Sequence, residues 1–140
     1  MAKQKPQVVI TGRNGRFLLM NKDQAIYNFW SGFGLPAYDQ FSIPDDAEYP
    51  YITYDTYTGA LDDRLILTGS LWYRSSSWEA VSLKKQQIEN ALYSMPPIKI
   101  DNGYLWLSLG SPFAQRMGDD ADDMIKRYIL NVSAEFLTAH

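Results

Sequence analysis

The chain has 140 residues, of which 46% are hydrophobic and 21% charged, a balance that indicates one ordered globular domain and excludes a disordered tail. The absence of cysteine and the single histidine, the terminal His140, exclude disulfides, thiolate chemistry and a histidine-based metal site. Residues 20 to 140 carry nine basic and sixteen acidic groups, a net charge of −7 that argues against nucleic-acid binding, and no apolar run approaches the ~18 to 20 residues that cross a membrane.

Residues 1–19 differ from the rest of the chain in charge and in pattern. The stretch "VVITGRNGRFLL", residues 8–19, places two apolar runs on either side of Asn14-Gly15, and both of these residues tolerate the positive φ of a tight hairpin turn. A β-hairpin arm is therefore one interpretation. The other is an extension that precedes a second possible start at Met20. The basic side chains of this segment are Lys3, Lys5, Arg13 and Arg16.

The first predicted helix begins near Asp23 and places apolar side chains at helical spacing, with Asn21 or Asp23 as its N-cap and Gly34 as its end. We expect Trp30 in the core rather than on a ligand platform. The helical apolar positions are Ile26, Phe29, Trp30 and Phe33. The following residues, 35–50, contain three prolines and four acids, and we predict an irregular surface connection there.

Two strands are predicted next, over residues 51–58 and 64–74, because both alternate with a period of two and are rich in β-branched and aromatic residues. The turn-like sequence between them predicts an antiparallel hairpin. Gly69 in the second strand indicates a bulge or a close backbone neighbour. The first strand carries aromatic side chains on both faces, which favours a partner on one of them.

A second helix is predicted to begin at the serines 75–77. Ser76 followed by Glu79 has the spacing of a capping box, and Met95-Pro-Pro ends the helix because neither proline offers an amide. One side of this helix is expected to be buried. Its apolar positions are Trp78, Val81, Ile88 and Leu92.

The last third of the chain predicts three further strands. "IKI" and "YLWLSLG" flank the turn sequence Asp101-Asn102-Gly103, and residues 124–137 alternate apolar with polar side chains. Residues 111–123 are predicted as an acidic loop or one ragged helical turn. The sequence thus predicts an α+β fold in a single domain over residues 20–140, with an antiparallel β-sheet, two main helices packed on one face, and a possible N-terminal β-hairpin arm.

Catalytic signatures are weak. The acidic cluster Asp119–Asp123 lacks the glutamate spacing of a calcium loop, and the serines 75–77 have no nearby base. The sequence "TGRNGR" has neither the glycine-lysine spacing of a Walker phosphate loop nor the three glycines of a dinucleotide-binding loop. We expect no catalytic, cofactor or metal site, and no enzyme. The alternative from a different class is a small-molecule-binding enzyme with an aromatic pocket near Trp72 and Arg74.

Two arginines near aromatic strand residues are the strongest indication of a protein interface in this sequence. Arg74 ends an aromatic strand, where a guanidinium can stack on tryptophan and fork to a carboxylate, and Arg116 precedes the acidic cluster. An ordinary surface ion pair is the alternative for both. The residues that we expect at a subunit or partner interface are Tyr51, Tyr57, Trp72, Arg74, Arg116, Asp119, Asp120 and Asp123.

From Met20 onward the chain resembles the tail terminator or tail-completion proteins of long-tailed, siphovirus-type bacteriophages. The resemblance lies in the ordered phrases "YNFWSGFGLPAYD", "YPYITYD", "SLWYRSSSW", "GYLWL" and "SPFAQRMGDDADDMIKRYILNVSAEF". Residues 1–19 depart from it. The residues that carry it are Trp30, Leu71 to Arg74, Trp78, Tyr104 to Trp106, Pro112 to Met117, Asp119 and Asp123.

This resemblance implies a small α+β subunit of the virion, made in the host cytoplasm, that closes into a homohexameric ring. The ring stops growth of the tail tube and joins the tail to the head connector, so the implied partners are other copies, the tail tube protein and the connector or stopper protein. No cofactor is implied. The alternative within the same neck is a head-completion or stopper protein.

Overall fold

The elements run in the order of two short strands, a helix, three strands, a second helix and three strands, in a computed structural model that describes residues 9–11, 17–56 and 64–138. The α+β class is confirmed, because two helices accompany a curled, mostly antiparallel six-stranded sheet. Within these ranges no helix is long and apolar enough to span a membrane. The elements are β1 (Val9–Thr11), β2 (Phe17–Leu19), α1 (Lys22–Ser31), β3 (Ala37–Asp39), β4 (Tyr51–Tyr54), β5 (Arg64–Arg74), α2 (Glu79–Tyr93), β6 (Ile98–Ile100), β7 (Gly103–Met117) and β8 (Ile125–Thr138).

The six-stranded sheet has the order β3-β4-β5-β8-β7-β6, and every neighbouring pair is antiparallel except β3 and β4. Three long strands form its centre. β5 and β8 pair continuously from Arg64 opposite Glu135 to Arg74 opposite Ile125. The predicted hairpin of β4 and β5 is confirmed as an antiparallel pair, with Tyr51 opposite Trp72.

The N-terminal strands β1 and β2 pair antiparallel with each other and form a separate two-stranded sheet. The Asn14-Gly15 sequence that predicts the turn between them lies outside the described residues. The hairpin turn therefore stays a prediction.

The core lies on one side of the sheet, where alternate residues of β8 are buried as the period of two predicts. Tryptophans from α1 and from the residue before α2 contact strand residues of this side. Trp30 of α1 lies against Gly69 of β5, and Trp78, just before α2, lies edge-on to Tyr128 at a ring distance of 5.8 Å. We call this side the helix-contacting face. The buried hydrophobic residues of β8 on it are Tyr128, Leu130, Val132, Ala134 and Phe136, and Lys126 is buried in the same alternation.

Helix α1 begins with a reciprocal capping box. The side chain of Asn21 accepts the Gln24 N–H at 2.8 Å, and the side chain of Gln24 accepts the Asn21 N–H at 3.0 Å, so Asn21 is the N-cap. The helix ends earlier than predicted, because Gly32 rather than Gly34 follows its last residue and donates to the Phe29 carbonyl at 3.2 Å. The prediction that Trp30 belongs to the core is confirmed, since it is fully buried.

The capping box predicted for α2 is wrong. The N-cap is Trp78, which makes no side-chain capping bond. The nearby serines instead accept amides two residues ahead: Ser75 Oγ accepts the Ser77 N–H at 3.1 Å, and Ser77 Oγ accepts the Glu79 N–H at 3.0 Å. The predicted buried side of the helix holds for Val81, Ile88 and Leu92, each of which is buried.

Two segments predicted as irregular are strands. Residues 111–117 continue β7, because a register shift between Leu109 and Ala114 absorbs the glycine and proline that lie between them. Ala37–Asp39 forms β3 within the predicted surface connection, paired with β4 by long-range bonds that local sequence does not reveal. In contrast, β4 ends at Tyr54, four residues before the predicted end, and residues 57–63 lie outside the described residues.

Gly69 allows α1 to approach the sheet, and its close neighbour is the Trp30 ring rather than a backbone. A Cβ at position 69 would lie 2.5 Å from Trp30 Cη2. We expect Gly69→Ala to lower the free energy of unfolding by about 1 to 3 kcal/mol, because the buried indole must shift. Urea denaturation followed by circular dichroism measures this change.

Gly118→Ala is the matched control, because a Cβ there meets nothing within 4 Å. It should change the stability by less than about 0.5 kcal/mol. Trp30→Phe should make the Gly69→Ala change less costly in the double variant, since a phenyl ring is smaller. Additive effects, or equal stability of both alanine variants, would contradict this packing.

Candidate functional site

The candidate interface begins on the side of the sheet opposite the helix-contacting face, which we call the second face. Residues that are opposite each other in register have their side chains on the same face of the sheet. Successive residues along one strand have theirs on opposite faces. Tyr51, Trp72 and Arg127 therefore share the second face, as do Trp106 and Glu135. Five large side chains of this face are exposed: Ile66 at 45%, Trp106 at 45%, Met117 at 41%, Tyr104 at 38% and Leu137 at 37%.

Four aromatic rings meet at one end of the second face, beside β3 and β4. Tyr51 stacks near Trp72 at a ring distance of 6.3 Å, and it also lies 5.3 Å from Tyr49 and 5.8 Å from Tyr38. Burial, with smaller effects of Tyr49 and Tyr38, raises the pKa of Tyr51 above its ordinary value of 10.0. The predicted residues Tyr51 and Trp72 are thus in one cluster, whereas Tyr57 lies outside the described residues.

The Arg127 guanidinium lies over one ring of this aromatic cluster, that of Trp72. Its guanidinium carbon lies 4.3 Å from the Trp72 ring centroid, and its Nε and Nη2 donate to Ser70 Oγ at 3.2 and 3.1 Å. Burial lowers the pKa of Arg127 below its ordinary value. Trp72 itself donates from Nε1 to Thr53 Oγ1 at 2.9 Å. The cation is therefore fixed in place, with no carboxylate among the described ion pairs to neutralise it.

Arg74 does not stack on a tryptophan within the described residues, contrary to that part of its predicted role. Its Nε donates to Asp122 Oδ2 at 3.2 Å, and about half of its side chain is exposed. Asp122 also accepts the Met124 N–H at 2.9 Å. The pKa of Asp122 is lowered from 3.8 first by this backbone bond and then by the Arg74 charge. Arg74 thus fastens the β7–β8 loop to the end of β5.

Arg116 makes the stacking contact that was predicted for arginine, but on the helix-contacting face. Its guanidinium carbon lies 4.6 Å from the Trp78 ring centroid, and its Nε donates to the Tyr128 hydroxyl at 3.2 Å. This hydrogen bond is the main cause of a lowered pKa of Tyr128. Arg116 therefore lies across the sheet from Tyr51 and Trp72, and the predicted residues do not form one patch.

The acidic loop between β7 and β8 contains the remaining predicted residues. The Asp119 carboxylate accepts the N–H groups of Ala121 and Asp122 at 2.8 and 3.2 Å, so its role in the structure is to shape the turn. Asp120 and Asp123 are exposed. In the part of the chain that the structure describes, no group of acids is placed to hold a metal ion.

Sequence reasoning missed Arg127, Tyr38 and Tyr49. The alternation of residues 124–137 places Arg127 opposite the buried side, which was a usable signal, but its contact with Trp72 depends on the β5–β8 register. Tyr38 belongs to a strand that was predicted as a connection. What the arrangement can do chemically is bind: it offers rings, one fixed cation and exposed apolar side chains.

The Arg127 contacts predict a measurable cost of removal. Arg127→Met should lower the free energy of unfolding by about 1 to 3 kcal/mol, because it loses the cation–π contact and leaves the buried Ser70 hydroxyl without its donor. Arg64→Met is the matched control, since the Arg64–Glu135 ion pair is long, at 3.4 Å, and exposed. It should cost less than about 0.5 kcal/mol. Equal effects in urea denaturation would contradict the assigned role.

Two contacts lower the pKa of Asp122, and the bond from the Met124 N–H is expected to lower it more than the Arg74 charge does. An Asp122 pKa below 3.8 means that its contribution to stability is present above pH 3.8 and is lost as the pH falls through the folded-state pKa. Carboxyl titration by NMR should give a pKa below 3.8, and Arg74→Met should raise it only part of the way, because the Met124 amide remains. A complete return to 3.8 in that variant would show that Arg74 is the main cause.

Neither the scan against protein-family models nor the search of curated proteins gives a match.

Proposed function

We propose that the protein is a structural subunit of the virion, a tail terminator that forms a ring at the end of the phage tail tube and joins it to the head connector. The observation that carries the proposal is the exposed second face of the sheet. Ile66 and Trp106, each 45% exposed, lie on it beside the Arg64–Glu135 ion pair. Aromatic and aliphatic side chains rimmed by charges are typical of protein interfaces.

In this proposal both helices cover one face of the sheet, and the second face contacts other subunits or the tube. Residues 1–19 form an arm. Ring contacts are heterologous, so each subunit needs two different patches. The ends of the sheet supply candidates, since β3 and β6 are three-residue strands with different neighbours. β6 cannot extend further along β7 because Pro96 and Pro97 offer no N–H groups.

The proposed partners are other copies in a homohexamer, the tail tube protein, and the connector or stopper protein. Binding these partners requires surfaces and no catalytic group, which agrees with the aromatic cluster and the fixed Arg127. The place of the protein is then the virion neck, reached from the host cytoplasm during assembly.

Assembly and phage morphology test this function together. Mass photometry at micromolar concentration, alone and with tail tubes, should detect rings, and electron microscopy should find them at the tube end. Phage particles that lack the protein should carry overlong tails. A chain that stays monomeric both alone and on tubes would contradict the proposal, whereas normal tails beside DNA-leaking heads would identify a stopper instead.

The second face gives a direct mutational test. Ile66→Glu and Trp106→Glu should each weaken assembly by at least about tenfold, because a charge enters a desolvated contact. Both side chains are only about half exposed and Trp106 pairs with Glu135, so each variant loses some stability, and circular dichroism must show that its monomer is still folded. Leu83→Glu is the matched control: Leu83 is 65% exposed on α2, and this change should leave assembly intact. Unchanged assembly in both second-face variants would exclude this face.

A further inference from the structure

Charge is segregated along the chain to a degree that the proposed ring does not by itself explain. Residues 1–22 contain five basic residues and no acidic one. Residues 23–63 contain eight acidic residues and no basic one, and residues 64–140 contain eight of each. The N-terminal segment and the region that follows it are therefore electrostatically complementary.

The acidic region has a described surface that is apolar as well as charged. The loop that connects β3 to β4 exposes Phe41 at 85%, Ile43 at 39% and Tyr49 at 38%. Asp45, Asp46 and Glu48 are exposed in the same loop. We call residues 37–49 the acidic edge surface. Several exposed apolar side chains in one short acidic loop are typical of a surface that binds another protein segment.

The acidic edge surface also contains the end of the sheet. β3 pairs with β4 on one side and is the last strand in the sheet order, so its other side has no strand partner in the described ranges. An unpaired strand edge binds an extended segment through main-chain hydrogen bonds. This surface can therefore accept a strand that brings apolar and basic side chains.

The N-terminal arm, residues 1–19, has that composition. Its strands have the apolar sequences "VIT" and "FLL", and its charged residues are all basic. Among the described residues β1 and β2 form a sheet of two strands, and a hairpin of two strands alone is marginally stable in water. Adding such a pair to the edge of β3 would extend the larger sheet.

We propose that the N-terminal arm of one copy docks on the acidic edge surface of a second copy. This inference rests on the proposed ring and names the contact that links neighbours. The arm leaves the domain at Met20, whose carbonyl accepts the Asp101 N–H at 3.0 Å next to β6. β6 and β3 are the two ends of the sheet order, so arm and acceptor are the two different patches that a heterologous contact requires.

Charge reversal in the full chain tests the contact. One variant changes Lys3, Lys5, Arg13 and Arg16 to glutamate, and the other changes Asp45, Asp46 and Glu48 to lysine. Each alone should weaken association by at least about tenfold at low salt, and less at high salt, because salt screens the attraction between surface charges. A control that reverses Glu79 and Glu89 on α2 should associate normally. Circular dichroism checks that each variant is folded.

Mixing the two reversed variants separates contacts between copies from contacts within one chain. In the mixture each reversed arm meets a reversed acceptor only on the other variant, so the inference predicts that association returns in alternating assemblies. Rescue only when both reversals occupy the same chain would place the arm on its own domain and overturn the inference. Normal association of each variant alone, or no rescue by either route, would also overturn it.

These outcomes are distinct from failure of the ring itself. If the wild-type chain assembles at the tube end but charge reversal has no effect, the arm contact is wrong and the proposed function stands. If the wild-type chain never assembles, even on tubes, the proposed function fails and the arm contact fails with it.

Discussion

The fit of the Trp30 indole over Gly69 is the constraint on which the rest of the structure depends. The ring lies directly over position 69 of β5, where a single added carbon would be 2.5 Å from it. The ring is fully buried although its Nε1 has no hydrogen-bond partner among the described residues, a cost of about 1 to 3 kcal/mol. Burial of so large a side chain offsets that cost. The helix is thereby held against one side of the sheet, and the second face keeps its exposed side chains.

Two kinds of surface are exposed in this structure, and they differ in how they are built. The second face is built on three long strands, and its cation is fixed by Trp72 and Ser70. The acidic edge surface is a loop beside a three-residue strand. In the proposed ring the second face meets a neighbour or the tube, and the acidic edge surface accepts the arm of the next copy.

The sequence predicted those features that depend on local pattern. Residues 128–136 alternate in a period of two, and their burial follows from it directly. The local pattern gave a wrong prediction where several hydrogen bonds compete. Ser76 was predicted to cap α2, but the hydroxyl groups of Ser75 and Ser77 accept the nearby N–H groups instead. The local pattern also failed where tertiary pairing overrides a breaker, as at Pro112, which lies inside β7 at a register shift. The site was predicted in part, since Trp72 was identified from its strand, but its partner Arg127 is adjacent only through the β5–β8 register.

The central claim of the proposal is that the second face of the sheet is an assembly surface, which neighbouring copies or the tail tube cover. A cryo-electron microscopy reconstruction of the assembled protein at the end of a tail tube tests it most directly. The account predicts a closed ring in which Trp106 and Ile66 are buried between neighbouring subunits or against the tube. A ring that leaves both side chains in water, with contacts made only through the outer surfaces of the helices, would contradict it.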